Sequence, residues 1–351
     1  MKICHLIFSF TTGGAETMLV DIMNEQCKTE EIHLVVVNNI YNKDVLKKIS
    51  DRVKIHLIKR KSGSRSIIPI IELNITLYNI KPDFIHCHNF ELAKIIFTNL
   101  LNFKIGLTVH DVYVSTSCHN KYHKLFAISK AVQKAIKDRS GYDSIVVLNG
   151  INFSKFKKKY NYKSKIYKIV QVSSLNYEKK GQDIIIKAMN ILVNKMKITD
   201  IRIDFIGEGE SEDYLKILVK EYNLEEYINF LGLKTREYLY NNLHNYDLLL
   251  QPSRYEGFGL TVVEAMAAKV PVLVSNIHGP IEIIQGGKYG DWFESENIDD
   301  CANKIYQLYS DKNQILNKTK VAYEYSLNKY SVKQTAFRYL KLYLDSKIKT
   351  I

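Results

Sequence analysis

Short apolar segments that alternate with helix-compatible segments are the feature that most constrains the fold of this chain. Seven such segments, rich in Ile, Val and Phe, lie in the first half: KICHLIFSF, IHLVVV, VKIHLI, DFIHCH, KIGLTVH, KLFAIS and SIVVL. Helix-compatible segments separate several of them, at 15–26, 67–79 and 129–137. Continuous apolar strands that alternate with helices are typical of a parallel sheet covered by helices on both faces. We therefore predict an α/β fold for this half.

The same alternation restarts in the second half. The strand candidates are IYKIVQVSSL, IRIDFIG, YINFLG, YDLLLQPS and PVLVSN, and the helix candidates occupy 182–195, 211–222, 235–243 and 260–268. Beyond residue 297 the sequence predicts helices only. The last of these has an apolar stripe at helical spacing, formed by Phe337, Leu340, Leu344 and Ile348, which predicts a packing helix.

The length of 351 residues, at roughly 100 to 200 residues per domain, is that of two domains. A polar, Lys-rich stretch at 149–165, NGINFSKFKKKYNYKSK, interrupts the alternation and predicts a linker between them. We predict two doubly wound, Rossmann-like domains, an N-terminal one at 1–160 and a C-terminal one at 161–330. A final helix at 331–351 can pack back on the N-terminal domain.

The positive charge of the chain is concentrated in its first half. Residues 1–165 hold 26 Lys and Arg against 13 Asp and Glu, whereas residues 166–351 hold 24 of each, so the first half carries the whole net charge of +13. This asymmetry predicts a polyanionic partner, either nucleic acid or an anionic membrane surface. Because no nucleic-acid-binding motif is present, we favour the membrane. The alternative is a chain that is simply rich in lysine.

One segment of the first half combines cations with apolar residues. Its cations are Lys59, Arg60, Lys61 and Arg65, and the apolar residues that follow are Ile67, Ile70, Ile71, Leu77 and Ile80. Such a segment can lie on an anionic leaflet, or it can be a solvated loop before a core-packed helix.

Other classes of protein are disfavoured by what the sequence lacks. No apolar run approaches the roughly 18 to 20 residues of a membrane span, and MKICHLIFSF is followed by no small-residue cleavage site. We expect a cytoplasmic protein that can be peripheral on the inner face of the cytoplasmic membrane. The five cysteines are scattered without a CxxC pair, so we expect neither a disulfide framework nor a metal site.

The stretch PSRYEGFGLTVVEAMAAKVPV, residues 252–272, carries the strongest chemical signal. It follows the apolar run NYDLLLQ, turns at Gly257 and Gly259, and continues as a helix from Leu260. A helix N-terminus offers backbone N–H groups and a positive dipole end to an anion such as a phosphate. Glu256 and Glu264 flank this position, and carboxylates there can accept hydrogen bonds from sugar hydroxyls. The plainer interpretation is a dipole-stabilising Glu264 and a solvated Glu256.

Three further motifs follow predicted strands, where open α/β sheets bind ligands. SFTTGGAET places Gly13 and Gly14 at a helix start, although a lone Gly-Gly pair is a weak signal. KIGLTV is followed by His110, and SSLNYEKKGQDI places Lys180 before a helix, where it can face phosphates or simply be solvated.

The ordered motifs GGAE, TVHD, AISKAV, VVLNGIN, EKKGQD, PSRYEGFGLTVVEAMA and HGPIEII resemble those of the retaining, nucleotide-sugar-dependent glycosyltransferases of family 4. The resemblance covers nearly the whole chain, and EGFGLTVVEAMA is its most specific part. It implies the GT-B fold, in which two Rossmann-like domains face each other across a cleft. The donor nucleotide is then expected on the second domain and the acceptor mainly on the first.

The resemblance also implies roles for individual residues. Glu264 is expected to bind the ribose hydroxyls, Glu256 the donor sugar, and Lys180 the diphosphate, while His110 lies near the reacting carbon. The catalytic set is then His110, Glu256 and Lys180. The donor-binding set is Gly13, Gly14, Ser174, Lys180, Glu256, Gly257, Phe258, Gly259, Leu260, Thr261 and Glu264. Because lysine and a helix terminus meet the leaving-group charge, no metal or other cofactor is expected.

The chain departs from the family pattern at one functional position. Ser174 stands in SSL where the family usually has the arginine of GRL, which is a second cation for the diphosphate. Either Lys179 or Arg254 can replace that cation, and the sequence does not choose between them.

The resulting hypothesis is a hexosyltransferase that moves a sugar from a UDP- or GDP-sugar to a lipid-linked or oligosaccharide acceptor. The product is expected to be a bacterial surface polysaccharide such as lipopolysaccharide, O-antigen or capsule. The alternatives are a nucleotide-sugar epimerase of the same fold and a non-catalytic protein that binds nucleotides or nucleic acid.

Overall fold

The computed structural model of the protein describes residues 1–98, 103–113 and 115–348, without the side chains at 312–314 and 346–348. The chain divides into two compact units. Unit 1 comprises Met1–Ile151 and the segment from Tyr330 onward, and unit 2 comprises Asn152–Lys329. Among the residues described, no helix is both long and apolar enough to cross a bilayer.

Unit 1 is built on a parallel sheet of seven strands. In chain order the strands are β1 (Lys2–Ile7), β2 (Glu31–Asn38), β3 (Lys54–Arg60), β4 (Phe84–Cys87), β5 (Ile105–Val109), β6 (Lys124–Ala127) and β7 (Ile145–Val146). Their order across the sheet is β3-β2-β1-β4-β5-β6-β7. Since β1 pairs with both β2 and β4, Ile3 lies between Ile32 and Phe84, and all three are buried.

The described helices of unit 1 cover this sheet. They are α1 (Gly14–Gln26), α2 (Lys43–Leu46), α3 (Ile68–Ile80), α4 (Lys130–Ser140) and the C-terminal α13 (Val332–Ile348). The sequence sets their ends locally. Ser129, for example, caps α4 by accepting a hydrogen bond from the Val132 N–H, and Gly141 ends it in the left-handed conformation that glycine favours.

Unit 2 contains a parallel sheet of six strands. They are β8 (Tyr167–Val172), β9 (Ile201–Ile206), β10 (Ile228–Phe230), β11 (Leu248–Gln251), β12 (Val272–Ser275) and β13 (Asp291–Phe293), in the order β10-β9-β8-β11-β12-β13. Its described helices are α5 (Tyr177–Lys180), α6 (Gln182–Asn190), α7 (Glu212–Glu221), α8 (Arg236–Asn242), α9 (Leu260–Ala267), α10 (Pro280–Ile283), α11 (Ile298–Ser310) and α12 (Lys312–Lys329). A π-helical turn, Ile191–Lys195, continues α6.

These two sheets confirm the predicted fold class of two doubly wound, Rossmann-like domains. In each sheet the chain reverses its direction of winding at one pair of strands, β1 and β4 in unit 1 and β8 and β11 in unit 2. The carboxyl ends of such a pair open a crevice where ligands bind in this class of fold. The fold therefore directs attention to the loops after these four strands.

Two sequence expectations need correction. The strand β13, with the sequence DWF, was not predicted, because three residues are too short to show a pattern. Phe337 and Leu344 on α13 are exposed, because Val332, Ala336, Tyr339 and Tyr343 form its buried face instead. The side chain of Ile348 lies outside the described residues.

The predicted linker, 149–165, contains the boundary between the two units, and much of it is buried. Phe153 and Phe156 are buried within unit 2. Lys159 is also buried, where its Nζ lies 2.9 Å from Oδ1 of Asp247. A Lys-rich composition therefore concealed a segment that packs onto unit 2.

Candidate functional site

The crevice between β8 and β11 in unit 2 gathers most of the residues that the sequence singled out. The loop after β8 leads through Ser174 to Lys180, and the loop after β11 leads through Glu256 to the start of α9. Gly181 has a φ of 70°, and a Cβ there would lie 2.2 Å from the carbonyl oxygen of Pro252. Glycine at this position thus lets the two loops approach closely.

Lys180 and Glu256 form an ion pair at the centre of this crevice. Nζ of Lys180 lies 2.5 Å from Oε2 of Glu256, and both side chains are more than four-fifths buried. The Gln251 amide donates to the same carboxylate oxygen at 3.2 Å, and the Thr261 hydroxyl donates to Oε1 of Gln251 at 2.7 Å. These bonds link the end of β11, the loop after it and the first turn of α9.

The N-terminus of α9 lies in the same loop. Gly259 caps the helix with φ 102° and ψ 57°, a left-handed conformation that a residue with a Cβ adopts only with strain. Phe258 before it is buried and holds the turn against the unit. The backbone N–H groups of Leu260 and Thr261, in the first turn of α9, have no carbonyl partner in the preceding turn of the helix, so this position is suited to an anion.

Glu264 lies farther along α9 and is completely buried. Its carboxylate is paired with the guanidinium of Arg236, the first residue of α8. Burial would lower the pKa of Arg236, but the neighbouring Glu264 carboxylate holds that pKa above its ordinary value. The guanidinium therefore keeps its charge, and its attraction to the Glu264 carboxylate offsets part of the cost of removing this pair from water.

The structure bears on which cation could replace the arginine that the family has at the position of Ser174. Ser174 is exposed, and its carbonyl oxygen accepts a hydrogen bond from the Gln182 amide at 2.9 Å. The Arg254 guanidinium binds both carboxylate oxygens of Asp183, at 2.9 and 3.0 Å, and also contacts Glu296. Because two carboxylates already hold Arg254, it is poorly placed to serve as that cation. Lys179 lies 5.1 Å above the Tyr255 ring.

In unit 1, a cavity of about 460 Å³ opens at the ends of β1, β4 and β5. Phe8, Glu16, His88, Asn89 and His110 are among the residues that line it. The loop after β1 is joined to the loop after β4, since the Phe8 N–H donates to Oδ1 of Asn89 at 2.9 Å. His110 follows β5 directly, and its buried Nε2 has no hydrogen-bond partner among the described residues. An atom of this kind can accept or donate a bond to a ligand in the cavity.

His110 belongs to a group of buried and half-buried histidines. Its ring is stacked on that of His88 at 6.0 Å, and Nε2 of His88 shares a hydrogen bond of 3.1 Å with Nδ1 of His5. Nε2 of His5 in turn meets Oε1 of Gln26 at 2.8 Å. Burial lowers the pKa of His110 and that of His5 to about 4, so both are neutral near pH 7.

Ring nitrogens of His5, His86 and His88 lie within 4.8 Å of one another, a spacing that a metal ion can use. His86, however, already contacts the Tyr343 hydroxyl at 2.5 Å and the Thr108 hydroxyl at 2.6 Å. Nε2 of His88 and both nitrogens of His5 are engaged as well. The cluster therefore reads as a hydrogen-bonded network that ties α13 to the sheet.

The glycine motif after β1 has an ordinary backbone at its first position. Gly13 caps α1 with φ −65° and ψ 164°, which any residue can adopt. A Cβ there would meet Oε2 of Glu16 at 2.3 Å, so glycine gives this carboxylate room to fold back over the helix start. Gly14 begins α1. The expected contact of these glycines with a donor remains a prediction.

Sequence reasoning missed Arg236, Gln251, His88 and His5 as neighbours of the candidate residues. A buried glutamate requires a cation, but nothing in the sequence showed that Glu264 is buried or that Arg236 faces it. The histidines at alternate positions of DFIHCH share one face of a strand, which could have indicated that His86 and His88 are neighbours.

Comparison with known proteins gives the following matches. Residues 152–326 match the family described as Glycosyl transferases group 1. The chain is 30% identical over 177 residues to a poly(ribitol-phosphate) alpha-N-acetylglucosaminyltransferase of Staphylococcus aureus, a match covering 50% of this chain and 35% of that protein. It is 26% identical over 335 residues to the uncharacterized glycosyltransferase MJ1178 of Methanocaldococcus jannaschii, covering 91% of each.

Among solved structures, the chain is similar to Anabaena Alr3699/HepE in complex with UDP and glucose. The TM-score is 0.82 at 19% sequence identity, and the match covers 100% of both chains. At this identity the likeness concerns the fold, and it extends through both units.

Proposed function

We propose that the protein transfers a sugar from a nucleoside diphosphate donor to a glycan acceptor, a proposal supported by the match of residues 152–326 to the Glycosyl transferases group 1 family. The observation that carries this proposal is the Lys180–Glu256 pair beside the N-terminus of α9. A cation and a helix terminus at one crevice suit a diphosphate, and a carboxylate beside them suits the hydroxyls of a sugar.

Unit 2 supplies the groups that a nucleotide sugar requires. The diphosphate lies at the backbone N–H groups of Leu260 and Thr261, with Lys180 as its cation. A carboxylate offers about four lone-pair positions, so Glu264 can accept the ribose hydroxyls while it keeps its bond to Arg236. Glu256 binds hydroxyls of the donor sugar and orients the Lys180 ammonium. Gly257, Phe258 and Gly259 shape the turn that brings these groups together.

The chemical step follows from where charge develops. As the bond between the sugar and the diphosphate breaks, the leaving oxygen gains negative charge. Lys180 and the positive end of α9 already face that position, and preorganised groups of this kind stabilise the transition state without rearranging. Because they balance the charge, we propose that the reaction needs no divalent metal. We further propose that the sugar keeps its anomeric configuration.

Unit 1 is proposed to carry the acceptor and one group for the transferred sugar. His110 is neutral near pH 7 because burial lowers its pKa to about 4. It can therefore form a hydrogen bond to a sugar hydroxyl but does not act as a cation. Gly13 and Gly14 would contact the donor from this unit.

The acceptor is proposed to be a lipid-linked glycan of a surface polysaccharide, and the donor a UDP- or GDP-sugar of a hexose. The excess of positive charge in the first half of the chain supports an acceptor held at an anionic membrane. The Staphylococcus relative, by its name, transfers N-acetylglucosamine to poly(ribitol-phosphate).

Thermal unfolding in the presence of UDP, GDP and ADP tests the donor site. Ligand bound only to the folded state raises the melting temperature, and saturation at about 100 times Kd adds about 2.7 kcal/mol of stability. We expect one of the three to stabilise the protein through unit 2, and Glu264→Gln to weaken that effect. An absence of stabilisation by all three would contradict the proposal. Interconversion of donor epimers without an acceptor would indicate an epimerase instead.

A further inference from the structure

The helix α3 of unit 1 presents two different faces. Leu73, Asn74, Leu77 and Ile80 are buried against the unit. On the opposite side, Ile68, Ile71, Ile75 and Tyr78 recur at helical spacing, and with Ile67 before them they are between 43% and 71% exposed. We call these five residues the outer face of α3. Contiguous exposed apolar residues of this kind mark an interaction site.

The sequence had suggested a similar surface but with a different set of residues. Leu77 and Ile80 were expected to contribute to it, yet both are buried, so they belong to the core. Ile68, Ile75 and Tyr78 take their place. The helical period explains the change, since only residues three and four apart share one face.

Cations precede the outer face in the sequence. Lys59, Lys61 and Arg65 are exposed just before α3. Arg60, which the sequence grouped with them, instead donates hydrogen bonds to Asn38 and to the Ser64 carbonyl, so it holds the loop together. Glu72 is the one charged residue within the sequence of α3. Unit 1 as a whole has 25 Lys and Arg against 14 Asp and Glu, a net +11, whereas unit 2 has 25 against 23.

We propose that the outer face of α3, with Lys59, Lys61 and Arg65, docks this protein on an anionic phospholipid surface. The isoleucines enter the boundary between headgroups and acyl chains, while the cations remain among the anionic headgroups. Tyr78 suits the same boundary, since its ring is apolar and its hydroxyl can remain in water. An anionic phospholipid surface complements the charge of these cations. A second copy of the chain does not, because it would bring the same cations to the contact.

This inference rests on the proposed function only in one respect, that a lipid-linked acceptor is reached from such a surface. Docking itself requires neither donor nor acceptor. Vesicle binding and sugar transfer can therefore fail independently, and each result identifies which of the two proposals is wrong.

Flotation of the full chain with vesicles is the test. We expect binding to phosphatidylcholine vesicles that contain 30% phosphatidylglycerol, little binding to pure phosphatidylcholine, and weaker binding in 500 mM than in 100 mM salt because ions screen surface charge. The triple variant Lys59→Ser/Lys61→Ser/Arg65→Ser should bind on the order of a hundredfold more weakly, at about 1 kcal/mol for each cation. The variant Ile68→Ser/Ile71→Ser/Ile75→Ser should lose roughly tenfold for each residue.

Control variants replace the same types of side chain, exposed cations and an exposed apolar residue, elsewhere on unit 1. Lys134→Ser/Lys333→Ser/Arg338→Ser deletes three exposed cations, and Phe337→Ser deletes an exposed apolar residue of α13. Both controls should bind as the wild type does. Equal binding to neutral vesicles would overturn the proposal, and so would an equal loss in the cation control. A dimer that the isoleucine variant dissociates, without vesicle binding, would assign the face to self-association and overturn it as well.

A fluorescent label supplies a local readout. All five native cysteines are buried, so a single cysteine introduced as Ile71→Cys can be labelled selectively. An environment-sensitive dye at this position should shift to shorter wavelength with anionic vesicles, whereas the same dye on Phe337→Cys should not. A shift at both positions or at neither would contradict docking through α3.

Discussion

The ammonium group of Lys180 lies 2.5 Å from a carboxylate oxygen of Glu256, although the two residues are 76 positions apart in the chain. They meet because β8 and β11 are neighbours at the point where the sheet of unit 2 reverses its winding. Each residue is reached by the loop after its strand. The pair therefore follows from the strand order as much as from the motifs.

Removal of either member of this pair should reduce turnover while the protein stays folded. In Lys180→Ala the charge that develops on the leaving diphosphate loses its cation. In Glu256→Ala the hydroxyls of the donor sugar lose a hydrogen-bond acceptor, and Lys180 loses its orienting partner. A preorganised group at such a position contributes roughly 3 to 4 kcal/mol, which is a hundredfold or more in rate. Initial rates with the productive donor measure the effect, and circular dichroism confirms folding. Lys168→Ala, an exposed lysine on β8, is the matched control and should retain its rate.

The pair of Arg236 and Glu264 should respond differently to single and double substitution. Arg236→Met leaves the buried Glu264 carboxylate without its guanidinium, which costs about 3 to 5 kcal/mol of folding free energy for a buried pair. The double variant Arg236→Met/Glu264→Leu should recover most of that stability, because apolar residues can replace a buried ion pair. It should still fail to bind the nucleotide, since the carboxylate is gone. Urea unfolding and nucleotide titration measure the two effects, and a double variant that binds normally would contradict the role of Glu264.

Activity should survive an excess of EDTA. Lysine and the N-terminus of α9 are proposed to balance the leaving-group charge, so chelation of divalent ions removes nothing that the reaction needs. The rate with and without EDTA measures this directly. A complete loss that added magnesium restores would show that a metal carries this charge instead.

Acid should destabilise the protein through its buried histidines. Burial lowers the pKa of His110 and of His5 to about 4, from about 6.5 in the unfolded chain. The unfolded state therefore binds more protons between these values, so stability is fully present above pH 6.5 and declines as the pH falls toward 4. Each group can contribute on the order of 3 kcal/mol. Melting temperatures from pH 7 to pH 4 should fall less steeply in His110→Asn, whereas the exposed His278→Asn should follow the wild type.

The sequence predicted the strands well because their side chains carry the signal. Every apolar run interpreted as a strand is a strand, since both faces of a parallel sheet are buried and the runs are continuous. The three-residue β13 has no such pattern. On α13 the buried face is built around Tyr339 and Tyr343, whose hydroxyls bond Thr108 and His86, so a stripe counted from Phe and Leu gave the wrong register.

The candidate site was predictable only where a motif is contiguous. Glu256, Gly259 and Glu264 lie within one stretch, and the helix start between them follows from the glycines. Residues from distant segments that contact these side chains could not be predicted from the sequence. Arg236 reaches Glu264 from another helix, and Arg254 is held by Asp183, which lies 71 positions before it in the chain.

Donor hydrolysis tests the central claim most directly. Purified protein, incubated without acceptor, is presented with UDP-, GDP- and ADP-sugars, and release of the nucleoside diphosphate is followed alongside the Lys180→Ala/Glu256→Ala variant. A transferase should hydrolyse one of these donors slowly, and the variant should lose at least about a hundredfold of that rate while its melting temperature is retained. Hydrolysis of none of the donors, or equal rates for the wild type and the variant, would contradict the assignment of sugar transfer to this site.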